Sequence, residues 1–272
     1  METRKSWARA CIQVVPTERG DAWVKYGYRL PPGEEQVLAR LSKRWGNRVP
    51  GVITTWPGAV AMTPLPGREL EEKDPLEDWV SVAGALGELA AGEASEVDDW
   101  TGIGVRDRRP ERWQQAVEQL LQSPVLNELE KPFRAKLDAL AADFIDRYRQ
   151  AFHSPATLIH QDSGCCNVRL TEDGPLFFDW ADVVIGHPTF SCDRLLDQAP
   201  RERHDPIIEA FLDPLGMARD EFNAMRRSNV LHEVLRYHDE LSFIPATNQV
   251  HQNLSNSVRS QLRVLVEFET RK

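Results

Sequence analysis

Three side chains that carry oxygen atoms have the spacing expected of a metal-dependent reaction centre. Asp162 and Asn167 lie five residues apart in the segment HQDSGCCN, and Asp179 follows twelve residues after Asn167 at the end of a short apolar run. Magnesium prefers oxygen ligands and usually takes only one or two from protein. Asn167 and Asp179 could supply those ligands, while Asp162 stays free to orient an acceptor hydroxyl and take its proton. The spacing therefore predicts a site for phosphoryl transfer that uses ATP and Mg²⁺.

The segments around these residues have the composition of short strands joined by a turn. The predicted strands lie at residues 156–159, 168–170 and 176–178. The turn at residues 171–175 would let two hairpin strands bring Asn167 and Asp179 together. We expect His160 to hydrogen-bond the backbone and brace the loop, because a catalytic loop must hold its members to a fraction of an ångström.

Three motifs in this region resemble the aminoglycoside phosphotransferase and choline kinase family. Its members carry HGDxxxxN, then an apolar strand ending in DW, then a GxP segment, and the corresponding segments here are HQDSGCCN, FFDWAD and IGHP. The resemblance implies an α+β, protein-kinase-like two-lobe fold. A small N-terminal antiparallel sheet lobe, residues 1–67, would bind the nucleotide. A larger, mainly helical C-terminal lobe, residues 68–272, would carry the catalytic residues and bind the acceptor.

The chain departs from the family pattern at two positions. Gln161 stands where the family has Gly, and Ser191 stands where many members have Asp after the GxP segment. Asp193, two residues later, is a second candidate for the contact that this Asp would make.

A lysine and a glutamate upstream are candidates for nucleotide binding. Lys25 lies in a predicted strand, and Glu34 begins an amphipathic helix preceded by the segment PPG at residues 31–33. The pair resembles the strand lysine and helix glutamate of the kinase fold. Glu35 competes with Glu34 as the partner, and Lys25 could instead be an ordinary exposed strand lysine.

The family resemblance also places the nucleotide pocket at a break between predicted strands. Two strands are predicted within residues 49–67, and the Pro/Gly break at their end corresponds to the family's hinge between lobes. By resemblance, the stretch from Ala61 through Leu65 would line the pocket, with Met62 as an apolar neighbour. A plain interdomain linker is the alternative interpretation of this break.

The predicted N-terminal lobe is shorter than that of a typical kinase. Only twenty residues precede Asp21, and residues 9–15 supply one predicted strand. The first strand would therefore be absent or reduced to residues 1–7, with Ser6 as a candidate remnant of the phosphate-covering loop.

Composition excludes several classes of protein. A chain of 272 residues that is 41% hydrophobic can form one or two domains with a proper core. Its net charge of −9 disfavours a nucleic-acid partner, which requires a basic surface. No apolar run approaches a membrane span and no signal-peptide core follows the N-terminus, so we expect a cytoplasmic protein without a membrane partner.

Two further patterns bear on ligands. The four cysteines suggest no disulfide framework, and a zinc site drawn from His160, Cys165, Cys166 and His187 matches no common ligand spacing. Residues 69–99 carry eleven acidic residues and one base, Lys73. Such a run is usually a solvated face, and the alternative is that it attracts a cationic acceptor.

The helices predicted from apolar periodicity surround these motifs. They lie at residues 76–90, 133–148, 206–215 and 220–237. We expect these apolar stripes mainly to form the core. A role of the helices in shaping an acceptor pocket is secondary.

The leading hypothesis is an ATP-dependent phosphotransferase that acts on a hydroxyl of a small molecule, such as an aminoglycoside, another sugar or an amino alcohol. The alternative is a pseudokinase or a ligand-binding module without turnover. A third hypothesis, a metal-dependent phosphohydrolase, would use the HD pairs at residues 204–205 and 238–239. The sequence leaves the acceptor and the oligomeric state open.

Overall fold

The computed structural model describes residues 2–6, 10–18, 20–27 and 33–270. The strands are β1 (Glu2–Ser6), β2 (Ala10–Thr17), β3 (Gly20–Gly27), β4 (Val52–Trp56), β5 (Ala59–Met62), β6 (Arg68–Glu69), β7 (Arg106–Asp107), β8 (Thr157–Ile159), β9 (Val168–Thr171), β10 (Gly174–Phe177) and β11 (Val184–Gly186). The helices are α1 (Glu34–Arg44), α2 (Leu76–Glu93), α3 (Val97–Gly102), α4 (Pro110–Leu121), α5 (Lys131–Ala151), α6 (Thr189–Gln198), α7 (His204–Leu212), α8 (Arg219–Arg226), α9 (Asn229–Leu241) and α10 (Gln249–Thr270). An N-terminal antiparallel sheet is thus followed by a mainly helical chain, as the predicted α+β class requires.

The chain divides into two compact units. The first comprises Met1–Arg106 with Ala156–Ala218, and the second comprises Asp107–Pro155 with Arg219–Lys272. The predicted boundary between residues 67 and 68 lies inside the first unit. The assignment of residues 1–67 to the nucleotide and of residues 68–272 to catalysis and the acceptor stays a prediction about function.

A five-stranded antiparallel sheet forms the N-terminal part of the first unit. Its strand order is β1-β2-β3-β5-β4, and Lys25 on β3 lies opposite Ile12 on β2 and Val60 on β5. The first strand, expected to be absent or reduced, is present as the short strand β1. It pairs with β2 and places Ser6 opposite Cys11. The predicted helix opening at residues 31 and 32 lies outside the described residues.

The rest of the first unit is built around α2, β8–β11, α6 and α7. The strands β9 and β10 form the predicted hairpin, with Val168 opposite Phe177, and β8 pairs antiparallel with β11. The helices α2 and α7 pack backbone to backbone at Gly87, where an added Cβ would lie only 2.4 Å from the carbonyl oxygen of Phe211. Glycine is therefore required at this crossing by the close approach of the two helices.

The second unit consists of α4, α5, α8, α9 and α10. Trp113 on α4 and Tyr148 on α5 are fully buried and stack with their ring centroids 4.1 Å apart. The hydroxyl of Tyr148 donates a hydrogen bond to the carbonyl of Arg108, whose guanidinium pairs with Asp239. Stacked aromatic rings and a satisfied phenol give this unit a core of its own. Among the described residues, no helix is both long enough and apolar enough to cross a membrane.

Candidate active site

The loop after β8 holds Asp162 and Asn167 in direct contact. The side-chain amide of Asn167 donates to Oδ2 of Asp162 at 3.0 Å and to the carbonyl of Asp162 at 2.8 Å. A 3₁₀ turn at Cys165–Asn167 brings the two side chains together. Because the amide nitrogen donates to Asp162, the amide oxygen of Asn167 is the atom that could bind a metal ion, and that role stays a prediction.

His160 connects this loop to the strand that precedes Asp179. Its Nδ1 accepts a hydrogen bond from the backbone N–H of Asp162 at 3.2 Å, so Nε2 carries the proton that it donates to the carbonyl of Phe178 at 2.9 Å. Burial lowers the pKa of His160 and keeps the ring neutral at pH 7. These are the contacts that a bracing residue needs, and the bracing role itself stays a prediction.

Asp179 is placed by an unusual backbone conformation at the end of β10. It has φ 64° and ψ 62° and begins a 3₁₀ turn over Trp180–Asp182. Aspartate tolerates the left-handed region better than most residues, and such outliers cluster at functional sites. The backbone N–H of Phe178 donates to the carbonyl of Asn167 at 3.0 Å, which joins the Asp179 segment to the loop at residues 160–167.

Lys25 lies between two carboxylates. Its Nζ is 2.6 Å from Oε2 of Glu34 and 2.6 Å from Oδ1 of Asp179, and the side chain is only 7% exposed. The other oxygen of Glu34 accepts the backbone N–H of Trp180 at 3.0 Å. Lys25 is therefore not an ordinary exposed strand lysine.

The structure also decides between the two candidate glutamates on α1. Glu34 contacts Lys25, whereas Glu35 turns away and accepts the backbone N–H of Gly58 at 3.1 Å. The predicted pair of Lys25 and Glu34 is present, and the competing assignment to Glu35 is wrong.

The charges of this triad are strongly coupled. Burial by itself would lower the pKa of Lys25, but the attraction of Glu34 and Asp179 outweighs it and raises that pKa above its usual range. Burial also raises the pKa of Glu34, opposed by the attraction of Lys25 and reinforced by the repulsion of Asp179. Lys25 is thus shared between two acids, and a divalent cation at Asp179 stays a prediction.

The residues assigned to the nucleotide pocket lie on and after the neighbouring strand. Ala61 and Met62 belong to β5, are buried, and lie opposite Val24 and Trp23 on β3. Leu65 follows β5 and is half-buried. The three residues thus lie beside the strand of Lys25, and their contact with a nucleotide stays a prediction.

Both residues that depart from the family pattern connect the loop at residues 160–167 to other segments of the chain. Gln161 is buried, and its side-chain amide donates to the carbonyl of Asp182. The hydroxyl of Ser191 accepts the backbone N–H of His160 at 3.3 Å, and the carbonyl of Ser191 accepts the hydroxyl of Ser163. Ser191 therefore contacts the loop at residues 160–163 directly, and a supporting contact from Asp193 stays a prediction.

Sequence reasoning did not identify Arg194 as part of the site. Its Nε lies 3.3 Å from Oδ1 of Asp162, although the two residues are 32 positions apart. The only available signal was the position of Arg194 six residues after the IGHP segment, and that signal does not specify a contact.

The acidic run at residues 69–99 is mostly ion-paired. At least eight of its eleven acids contact a lysine or arginine, and the partners include Arg40, Arg44 and Arg48 on and after α1. Glu93 is fully buried and accepts the indole N–H groups of Trp45 and Trp100 at 2.6 and 2.7 Å. The run therefore joins elements of the first unit, and most of its charge is locally balanced.

The HD pairs of the phosphohydrolase hypothesis have structural partners. Nε2 of His204 bonds the carbonyl of Ala199 at 3.1 Å, and Asp239 pairs with Arg108. Across the described parts of the chain, no three His, Cys, Asp or Glu side chains are grouped so that they could hold a metal ion. Neither this hypothesis nor the zinc site is supported.

A comparison with family sequence models gives a match to the phosphotransferase enzyme family over residues 29–226, well over half of the chain. The chain belongs to the phosphotransferase enzyme family. A search of curated protein sequences found no match. The three motifs that carried the resemblance, at residues 160–167, 177–182 and 185–188, lie inside the matched range of this phosphotransferase family member.

Solved structures of three phosphotransferases share the fold. Macrolide 2′-phosphotransferase MphH from Brachybacterium faecium is 16% identical, with a TM-score of 0.63 and coverage of 91% of this chain and 92% of that chain. The gentamicin complex of APH(2″)-IIa is 14% identical, with a TM-score of 0.70 and coverage of 96% and 90%. Ethanolamine kinase from Plasmodium vivax is 11% identical, with a TM-score of 0.68 and coverage of 96% and 81%. The predicted protein-kinase-like fold is confirmed.

Proposed function

We propose that this phosphotransferase family member moves the γ-phosphoryl group of ATP to a hydroxyl group of a small molecule. The observation that carries the proposal is the Lys25 triad together with the contact between Asp162 and Asn167. A cation for phosphates, a carboxylate and an amide oxygen for a metal, and a separate carboxylate for a hydroxyl are the parts that phosphoryl transfer needs.

The donor set fits a magnesium ion. Asn167 offers a neutral amide oxygen and Asp179 an anionic carboxylate that is 37% exposed, a pairing of hard oxygen ligands. When bound, Mg²⁺ would neutralise charge on the nucleotide phosphates. The amide nitrogen of Asn167 would continue to hold Asp162 while its oxygen faces the metal.

The chain's own residues divide the remaining tasks. Asp162 would orient the acceptor hydroxyl and accept its proton, because its side chain is partly exposed and held in place by Asn167. Lys25 would hold the phosphates, and Glu34 would keep the ammonium group in position from the buried side. His160 would brace the loop through its two hydrogen bonds without a chemical step of its own. Ala61, Met62 and Leu65 would line the adenine side of the pocket.

The acceptor class rests on the similar structures and on charge. The neighbours are phosphotransferases and kinases named for macrolides and ethanolamine, and one was solved with gentamicin, so a small hydroxyl-bearing molecule is the proposed acceptor. Aminoglycosides, other sugars and amino alcohols belong in the first screen. Acids of the run at residues 69–99 are paired with arginines, which argues against electrostatic attraction of a polycationic acceptor by this run. Dependence on ATP would place the reaction in the cytoplasm.

A ligand-binding module without turnover is the second candidate, favoured by the five-residue first strand. The deciding experiment incubates the protein with γ-labelled ATP, Mg²⁺ and a broad acceptor panel, with Asp162→Asn as the matched control. We expect transfer by the wild type and a loss of about two to four decades in the control, the usual contribution of a positioned base. Nucleotide binding without transfer to any acceptor, and without slow ATP hydrolysis, would favour the module instead.

A further inference from the structure

Arg194 lies at the catalytic carboxylate but belongs to a helix outside the catalytic loop. It is on α6, and its Nε is 3.3 Å from Oδ1 of Asp162. The two side chains are 30% and 29% exposed, so both are partly buried and still reachable by a substrate. A surface ion pair with this exposure is often worth little, and its significance depends on how firmly its members are held.

The helix α6 is fixed against the catalytic loop by contacts other than this ion pair. The hydroxyl and the carbonyl of Ser191 bond His160 and Ser163. At the other end of the helix, Oε1 of Gln198 accepts the backbone N–H of Cys165 at 2.6 Å. Arg194 lies between these two contacts, so the backbone that carries it is held next to the loop of Asp162.

The carboxylate of Asp162 is consequently held at both oxygens. Asn167 donates to Oδ2 and Arg194 donates to Oδ1. Each carboxylate oxygen can accept more than one hydrogen bond, so an acceptor hydroxyl can still bind. Arg194 is itself restrained by Asp197, whose Oδ2 lies 3.9 Å from its Nη1.

The electrostatic need for a cation at this point follows from the proposed chemistry. Residues 160–167 contain no lysine or arginine, and Lys25 is engaged by Glu34 and Asp179. A phosphoryl group that approaches the hydroxyl on Asp162 brings anionic oxygens towards a carboxylate. A guanidinium fixed beside that carboxylate offsets the repulsion without having to reorganise.

We propose that Arg194 is a positioning residue for phosphoryl transfer: it orients the carboxylate of Asp162 and offsets the repulsion between that carboxylate and the incoming phosphoryl group. This inference rests on the proposed function, since it gives Arg194 a task only if Asp162 receives a hydroxyl proton. Arg194 acts through Asp162 and is not assigned a contact with either substrate.

The test uses the slow hydrolysis of Mg-ATP by the full chain, with water as the acceptor. Arg194→Met keeps the length of the side chain and removes the charge, Arg194→Lys keeps the charge, and Arg201→Met removes an exposed arginine just after α6 as the matched control. Hydrogen bonds to charged groups are worth enough to predict a fall in kcat of about 10- to 100-fold for Arg194→Met. We expect the KM for Mg-ATP to stay within about twofold, since Arg194 is not placed on the nucleotide.

The remaining variants separate positioning from a merely structural role. Arg194→Lys should recover part of kcat, and Arg201→Met should match the wild type, with thermal unfolding midpoints recorded for all proteins. If Arg194→Met does not fold, the comparison of Arg194→Lys with the wild type tests the inference instead. We then expect kcat of Arg194→Lys to be at least about threefold lower than that of the wild type, with KM unchanged. An active wild type with unchanged kcat in Arg194→Met, or an equal loss in Arg201→Met, overturns the inference alone. A wild type that neither hydrolyses ATP nor transfers phosphate overturns the proposed function together with it.

Discussion

Replacing Lys25 by methionine should destabilise the protein in a pH-dependent way. The substitution keeps the length of the side chain but leaves Glu34 buried without its cation, while the more exposed Asp179 can be hydrated. An unpaired buried carboxylate escapes its desolvation penalty by taking up a proton. The cost is then limited to protonating Glu34 in the folded protein at a pH at which the unfolded chain has released that proton.

The magnitude follows from the unfolded-state pKa of glutamate, about 4.3. Holding a proton on Glu34 at pH 7 costs up to about 1.4 kcal/mol for each of the ~2.7 pH units above that value, or roughly 3.7 kcal/mol. An acid whose pKa is higher in the folded than in the unfolded protein destabilises the folded protein more as pH rises. The same loss therefore shrinks to about 1 kcal/mol at pH 5. Because the pKa of Glu34 is already raised in the wild type, the wild type carries part of this cost. The prediction is therefore a loss of unfolding free energy below these ceilings that becomes smaller from pH 7 to pH 5.

Urea unfolding of wild type and Lys25→Met at both pH values measures this difference. The double variant Lys25→Met, Glu34→Gln is the matched control, since it removes the buried charge and should regain most of the loss at pH 7. A loss below about 1 kcal/mol at pH 7, or one that is equal at the two pH values, would refute the assignment of a buried, coupled triad.

Three further predictions concern packing, pH and the catalytic loop. Gly87→Ala should lower the free energy of urea unfolding by at least about 2 kcal/mol, because its Cβ would meet a backbone oxygen of α7. Gly84→Ala, whose Cβ would lie 3.8 Å from the nearest backbone oxygen, should be neutral or stabilise by up to about 1 kcal/mol. Equal effects of the two substitutions would contradict the close approach of the helices. Burial lowers the pKa of His232 well below its usual value, so the unfolded chain binds the proton first and stability falls as pH drops through about 6.5. The loss in unfolding free energy from pH 7.5 to 5.5 should be up to about 1.4 kcal/mol smaller in His232→Gln, and an unchanged pH dependence would contradict a neutral buried ring. Gln161→Ala removes the hydrogen bond from the buried Gln161 side chain to the carbonyl of Asp182 and should lower the free energy of thermal unfolding by about 0.5–1.5 kcal/mol. A variant as stable as the wild type would show that this hydrogen bond does not stabilise the loop.

The local parts of the site could be predicted because spacing and hairpin geometry determine them. Asp162 and Asn167 are five residues apart in one loop, and the hairpin of β9 and β10 fixes the approach of Asp179. The strand and helix that carry Lys25 and Glu34 were also recognisable from composition. The contact between Lys25 and Asp179, which are 154 residues apart, was not predicted, because no local signal indicates it.

Contacts that cross the chain were beyond sequence reasoning. Gln161 and Ser191 were marked only as departures from a pattern, yet both support the loop through partners that a single sequence does not indicate. The acidic run was interpreted as a solvated face or an attractive field, whereas its charges pair with arginines elsewhere in the first unit. Charge counts along a sequence contain no information about which distant side chains will meet.

Helix boundaries were least certain where polar residues interrupt the apolar pattern. The predicted helix at residues 220–237 is two helices, α8 and α9, separated at Arg227 and Ser228. The C-terminal helix α10 has no counterpart among the predictions, because serine, asparagine and glutamine fill its first half. Its buried residues, among them Val258, Leu262 and Val266, recur at a spacing of four and pack in the second unit.

The central claim is that Asp179 and Asn167 bind the metal ion of a nucleotide site and that Asp162 accepts the proton of the acceptor hydroxyl. The most direct measurement is the affinity for ATP by titration calorimetry, with Mg²⁺ and with a chelator, for wild type, Asp179→Ala and Asp162→Asn. We predict that Mg²⁺ strengthens binding at least about tenfold in wild type and in Asp162→Asn, a difference of about 1.4 kcal/mol. In Asp179→Ala this gain should disappear, while metal-free ATP binds as well as before or better because Lys25 is released. A gain from Mg²⁺ that survives in Asp179→Ala would contradict the account.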